Sequence, residues 1–475
     1  MKAYVFLSVH QELFHRVAER LRAYGVDEFS GFAWGIQQVE SISNRGIDYA
    51  PMTVFSRDLL PEIDDGAPPD LVWLEQRERE LGVSINRMLT AERHLLAGRT
   101  FTQLQRMAEV ALRKIAAAYD EAKPDFVFSE DVSCFLSYVH FVLAKERGIP
   151  FWCISSGRLP KTLSVYSSRF QTLDRANHKY AELLERGLTE EEAAEADRYI
   201  DTFRTKPTRP SGMEKRDTVP RIQLTDLGRL GTAMSHYFGD RDDPTAVSPL
   251  RAIRQRLQRI ARVRVAAAMH VFESPVPDEK YVLYPIHFQP EASTLVQAPF
   301  YLDQVVLLQD IAKSLPIGHR LYVKEHVSNR GRRPIEFYEA IRRIPAVRLL
   351  SPNEDVWSLI RNAGAIAVIT GTMGWEGLLF GKPVITFGDV FYNRVPQVYR
   401  AFEVPKDRWY EIFRRALFEH ETNETALRTF VAALQQAALP GSIHNPKVFP
   451  YVLDEENVEN VARALGAAAH ARALS

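Results

Sequence analysis

Short apolar runs alternate with amphipathic stretches at both ends of the chain. Tyr4–Ser8 predicts a buried strand, and Gln11–Tyr24 after it has helical spacing. Gly31–Ile36, with Phe32 and Trp34, suits a pleated surface. Leu104, Met107, Val110 and Ala111 recur at three- and four-residue intervals, predicting one long helical stretch over Arg77–Tyr119. Pro124–Phe128 predicts a strand, Ser129–Ser133 a loop, Phe135–Arg147 a helix stopped by Gly148, and Ile149–Ile154 another strand. Such alternation gives a parallel sheet with helices on both faces.

The middle of the chain reads differently. Leu173–Phe203 is rich in Ala, Glu and Leu and predicts helix, whereas Thr205–Pro220 carries three prolines and a glycine and predicts a connector. Asp240–Pro249 is turn-rich. Arg251–Arg264 holds six arginines and no acid, with Ile253, Leu257, Ile260 and Val263 on one helical stripe. From Tyr281 the alternation returns. Strands are expected at Tyr281–Pro285, Arg320–Glu325, Val347–Leu350, Ala365–Thr370 and Pro383–Phe387. Helices are expected at Tyr301–Ser314, Ile335–Arg343, Asn353–Asn362, Gly374–Phe380, Trp409–Ala416, Glu424–Ala438 and Glu455–Ala471. The fold class is therefore α/β, with two Rossmann-like, doubly wound domains facing a cleft and a partly helical linker between them. The expected boundaries are 1–170, a linker or insertion at 171–275, 276–445, and a closing helix in 446–475.

Composition narrows the function. The 475 residues carry 60 Lys+Arg against 60 Asp+Glu, which excludes a generally basic nucleic-acid binder. Cys134 and Cys153, the two cysteines, sit in apolar runs and predict buried free thiols in a reducing compartment. The apolar stretch at the start is too short for a signal segment, and no run approaches the ~18–20 apolar residues of a membrane span. These features predict a cytoplasmic protein. The arginine run would reach anionic lipid or glycan at the inner face of a membrane, or form a solvated helix face.

Candidate chemistry clusters where strands open into loops. Thr370-Gly371-Thr372-Met373-Gly374 joins a strand to a helix, with Glu376 in the first turn. Small residues and free N–H groups there suit an anion, although tight packing also explains the glycines. The segment lacks the Gly-Lys-Ser/Thr ending of a P-loop. Lys324-Glu325-His326 ends a strand with groups that can neutralise a phosphate. His287, Gln289, Pro290, Glu291 and Ser293 fill the loop after Tyr281–Pro285. In the first half, Glu130 and Asp131 follow a strand and supply a general base, a nucleophile or a helix cap. His10, Ser156 and Arg158 follow neighbouring strands and would hold an acceptor. Asp240-Arg241-Asp242 has a metal-binding spacing but lies in a turn with no strand before it, so no metal ligand is assigned.

Gln289–Thr294, Val323–His326, Gly371–Gly377 and Gly381–Val384 are similar, in order and spacing, to the bacterial capsule polysaccharide synthesis family, which includes β-Kdo transferases. The resemblance covers about residues 280–395 and implies a GT-B fold whose C-terminal domain holds a nucleotide-sugar donor. It implies no metal and no cofactor. Gln289-Pro290 matches the family's Gln-Pro motif, and Lys324-Glu325-His326 matches three positions of a Lys-Glu-His-Pro motif, with Val327 replacing the proline. Family members carry an acid before a Gly-aromatic-Leu-Arg-like segment. Here Ser155-Ser156-Gly157-Arg158-Leu159-Pro160 departs from that pattern, leaving Glu130 or Asp131 as the acid. The implied function is transfer of a sugar, from CMP-Kdo or another CMP-ulosonic acid, to a surface polysaccharide or its lipid-linked precursor. His326 joins Glu130 and Asp131 as the catalytic set, and His287, Gln289, Pro290, Glu291, Ser293, Lys324, Glu325, Thr370, Gly371, Thr372, Met373, Gly374 and Glu376 would bind donor. A nucleotide-sugar 2-epimerase, a polyol-phosphate transferase of like architecture and a non-catalytic glycan-binding protein are the alternatives.

Overall fold

The computed structural model describes residues 1–208 except 9, 44 and 97, then 228, 231, 234, 235 and 237–473. Most of the expected connector at Thr205–Pro220 lies outside the described residues. The strands are β1 (Lys2–Phe6), β2 (Glu28–Ala33), β3 (Tyr49–Val54), β4 (Phe126–Ser129), β5 (Phe151–Ser156), β6 (Thr162–Tyr166), β7 (Tyr281–Pro285), β8 (Arg320–Lys324), β9 (Val347–Leu350), β10 (Ala365–Val368), β11 (Val384–Thr386), β12 (Val398–Arg400) and β13 (Leu439–Pro440). They form two sheets, ordered β13-β6-β5-β4-β1-β2-β3 and β12-β11-β10-β7-β8-β9.

Read from its third strand, each sheet has the order 3-2-1-4-5-6, the Rossmann arrangement. The second is wholly parallel, whereas β6 runs antiparallel to β5 and β13 antiparallel to β6 in the first. Strand order reverses between β1 and β4 in one sheet and between β7 and β10 in the other. Ligands of such sheets bind outside the carboxyl ends of the strands at these switch points.

The chain divides into two compact units. The first comprises residues 1–169, 223–252 and 438–475; the second comprises 170–222 and 253–437. In the first, Val5, Phe128 and Ile154 from the sheet pack with Phe14 and Val17 of helix Gln11–Leu21. Val458, Val461 and Leu465 of helix Glu455–Ala473 join that core, and Tyr24 Oη donates to Glu459 at 2.5 Å. In the second, Val282, Val323, Ala367 and Ile385 lie under Leu308, Ile341 and Trp409.

Several expected elements shift for local reasons. The long helix breaks into Leu71–Leu81, Ile85–Thr90 and Phe101–Ala122, because Gly82 takes a left-handed φ of 63°. Ser84 caps the next helix, and Thr100 with Gln103 forms a capping box for the third. Leu173–Phe203 likewise divides at Gly187 into Asp174–Arg186 and Glu190–Thr205, the latter started by Thr189 and Glu192. These helices pack on helix Glu424–Ala437 of the second unit, with Tyr180 and Phe430 rings 5.2 Å apart, where the sequence pattern suggests a linker. Among the described residues no helix is long and apolar enough to cross a membrane.

Candidate active site

At the first switch point, β1 leads through Leu7 to Ser8 and His10, and β4 leads to Glu130. Ser8 Oγ donates to Glu130 Oε2 at 2.9 Å, and His10 Nδ1 lies 3.2 Å from the same oxygen. His10 occupies the N-cap position of helix Gln11–Leu21 but makes no side-chain cap bond there; its ring turns to the carboxylate. Its side chain is 7% exposed and that of Glu130 29%. Among the described residues, Glu130 Oε1 takes no hydrogen bond. One carboxylate oxygen is thus fixed from two sides and the other is open.

Asp131 has a different setting. Its Oδ1 accepts from Tyr166 Oη, and burial pushes both that phenol and the nearby Cys153 thiol up, with the Asp131 charge adding to each. Ser156, expected to bind acceptor, donates to the Ile443 carbonyl at 2.6 Å. Arg158 is half-buried in the turn between β5 and β6, where a Cβ on Gly157 would collide with Thr162. Asp240 accepts from the Ile36 amide at 2.5 Å, so the Asp-x-Asp acid serves a helix start. Among the described residues no group of His, Cys, Asp and Glu has a metal-holding arrangement.

The second switch point is tightly braced. His287, after β7, accepts from the Ile369 amide through Nε2 at 3.1 Å, which puts the proton of the neutral ring on Nδ1. Burial holds its imidazole down at about 3, helped by the positive charges of His326 and Arg333. Gln304 locks the loop: Oε1 accepts from the His287 amide at 2.8 Å, and Nε2 donates to the His287 carbonyl at 3.1 Å and to Gln289 Oε1 at 2.8 Å. Gln289 Nε2 in turn donates to Leu302 O at 2.8 Å. Pro290 is exposed after it, Glu291 occupies the N-cap position of a short helix with no side-chain cap bond, and Ser293 Oγ donates to Glu291 Oε2 at 3.0 Å.

At the end of β8, Lys324 is buried with Nζ on the Pro352 carbonyl at 3.0 Å. Glu325 is fully buried, 3.3 Å from Arg333 Nε, and burial raises its carboxyl while that arginine opposes the rise. Arg333 Nη2 also donates to the His287 carbonyl at 2.6 Å. Half-buried His326 accepts from the Ser328 amide through Nδ1 at 3.1 Å, with its ring 6.0 Å from Phe288.

After β10, Thr370 Oγ1 donates to the Ser293 carbonyl at 3.0 Å, and Gly371 N-caps helix Thr372–Leu379 with no side-chain cap bond. The glycines have steric causes. A Cβ on Gly371 would sit 3.1 Å from His287 Cε1, and one on Gly374 would collide with Tyr392 Oη, which donates to the Gly371 carbonyl at 2.6 Å. A Cβ on Gly377 would lie 2.8 Å from Ile366 Cγ1. Gly371, Thr372 and Met373 stay half-buried at the helix start, whereas Glu376 is buried, its charge adding to the rise of the Tyr199 phenol.

Residues 183–396 match the family model described as "Capsule polysaccharide biosynthesis protein". Over that segment the chain resembles the capsule polysaccharide biosynthesis family. The segment spans β7 to β11 with helices before them, and it encloses the motifs of residues 280–395. No curated protein matches the chain. Among solved structures, it is similar to the β-Kdo 2,7 transferase of Thermosulfurimonas dismutans KpsC at 14% identity and TM-score 0.40, covering 74% of this chain and 88% of that one. The β-Kdo 2,4 transferase of the same protein has 14% identity and TM-score 0.35, covering 65% and 79%. Neisseria meningitidis UDP-GlcNAc 2-epimerase has 12% identity and TM-score 0.25, covering 92% and 98%.

Proposed function

We propose that the chain is a GT-B glycosyltransferase that moves a sugar, from CMP-Kdo or a related CMP-ulosonic acid, to a capsular or other surface glycan or its lipid-linked precursor. The observation that carries this reading is Glu130, fixed through one oxygen by Ser8 and His10 and open at the other, at the switch point of a Rossmann-order sheet. The resemblance to the capsule biosynthesis family supports the substrate class. In this reading Glu130 takes the proton of an acceptor hydroxyl; that oxygen attacks the anomeric carbon, and the bond to phosphate breaks with its electron pair leaving on the nucleotide. In a retaining variant Glu130 itself attacks first.

The donor belongs to the second unit. The uncapped start of helix Thr372–Leu379 meets the donor phosphate, and His326, whose neutral form carries its proton on Nε2, donates to the leaving group. Lys324 contributes its charge from beneath, and no metal enters the scheme. The reaction belongs at the cytoplasmic face of the membrane.

A thermal-shift panel of CMP, UDP, CDP and GDP tests the donor, since a ligand at a hundred times its Kd stabilises the fold by ~2.7 kcal/mol. CMP is expected to give the largest shift. Product analysis tests the class: conversion of a nucleotide sugar without acceptor would make the protein an epimerase, and glycan binding with no turnover would make it a binding protein.

A further inference from the structure

Helix Pro249–Ala268 contains no acid and carries six arginines. Its sequence pattern places Ile253, Leu257, Ile260 and Val263 on one helical stripe, but the structure separates them in exposure. Ile260 and Val263 are half-buried, and Arg259 and Arg262 beside them donate to the carbonyls of Arg330 and Arg332, the latter at 2.6 Å. Gly331, with φ of +70°, brings that loop so close that a Cβ would collide with the Arg259 carbonyl. The helix thus docks through a mixed apolar and basic face, with Ala266 buried in the core of the second unit. Its other face turns Leu250, Ile253, Leu257 and Val265 to solvent, with Leu250 81% and Leu257 52% exposed, and Arg254 and Arg264 are exposed among them.

We infer that this outer face rests on the surface of an anionic lipid bilayer. Leucine and isoleucine side chains would enter the boundary between headgroups and acyl chains, while Arg254 and Arg264 extend their stems and keep their guanidinium groups at lipid phosphates. The absence of acids on the helix leaves its attraction to an anionic surface unopposed from its own residues. An acidic glycan would match the arginines but offers nothing apolar to cover Leu257. The inference goes beyond the transferase reading and does not depend on it.

Co-sedimentation of the full chain with phosphatidylcholine vesicles, with and without phosphatidylglycerol, tests the surface. Wild type is expected to pellet with the anionic vesicles and to be released by salt. The pair Ile253→Asp and Leu257→Asp should abolish pelleting. The pair Arg254→Gln and Arg264→Gln should lower anionic partitioning roughly 30-fold, from about fivefold per arginine, and flatten the salt dependence. Both pairs are solvent-facing, so thermal melts and turnover of a soluble acceptor are expected to match wild type, which separates this test from that of the transferase. Wild type remaining in the supernatant with anionic vesicles would overturn the inference. So would unchanged pelleting of the aspartate pair, or salt-sensitive binding of soluble polygalacturonate without vesicle binding.

Discussion

At the first switch point, Glu130 accepts two hydrogen bonds on one oxygen and keeps the other open. At the second, the Nε2 of His287 is used by the Ile369 amide, Gln289 by Leu302 and Gln304, and Glu325 by Arg333. The strand order is the same in both. The second sheet carries the recognisable motifs, and most of their polar side chains brace one loop against another. What they leave for a ligand is mainly backbone: the helix start at Gly371–Met373. Motif density here marks a shape held rigid, whereas the reactivity we propose for Glu130 lies on the side with little motif.

Glu130→Gln is the strongest test of this contrast. It should cut kcat by about 10³ or more while leaving the melting temperature near wild type, because a general base or nucleophile contributes on that scale. Asp131→Asn, next in sequence but bonded to Tyr166, should cost far less turnover. Equal losses in the two variants would erase the distinction drawn between the two carboxylates.

Arg333→Met probes the braced side and should act on stability. It leaves Glu325 buried without its cation and removes one of the two donors to the His287 carbonyl, Gln304 keeping the other, so a loss of ~3–5 kcal/mol in urea denaturation is expected. A variant as stable as wild type would show that Arg333 serves a ligand instead.

His287 gives a smaller, pH-dependent effect. Its folded value of about 3 lies below its ordinary 6.5, so the unfolded chain binds the proton first. Stability from the neutral ring is present above about pH 6.5 and is lost as pH falls toward 3, at on the order of 1 kcal/mol per pH unit. Buried His140 in the first unit is depressed in the same way, so the whole-chain slope contains both. His287→Gln should therefore reduce that slope without removing it, read by denaturation at several pH values. An unchanged slope would mean that His287 is not held neutral in the fold.

The contrast was only half legible in the sequence. Apolar runs ending in polar residues marked β7, β8 and β10, because a strand buried on both faces leaves its chemistry at its carboxyl end. Tyr49–Val54, half-buried with Pro51 inside it, lacks such a run and so carries no strand signature of this kind. The braces were hidden for a different reason. Gln304 and Arg333 reach His287 from 17 and 46 residues away, and no local pattern reports a contact of that kind. Glu130 and Asp131 were indistinguishable as neighbours; their partners Ser8 and His10 follow β1, and Tyr166 lies in β6.

Ser8→Ala tests the finest part of the contrast, whether the fixed oxygen of Glu130 matters to the open one. The hydroxyl supplies one of two donors to Oε2, and His10 keeps the other. Losing it leaves the carboxylate in place but allows it to rotate, so the open oxygen spends less time aligned with an acceptor hydroxyl. A fall in kcat of up to about tenfold is expected, the scale of one hydrogen bond of ~1 kcal/mol. KM should stay near wild type, since Ser8 touches no substrate in this scheme, and the melting temperature should scarcely move. Ser8→Thr, which keeps the hydroxyl, should restore most of the rate. A purely structural role would instead show as a lowered melting temperature with turnover per folded molecule unchanged, and Glu130 would then owe its position to His10 alone.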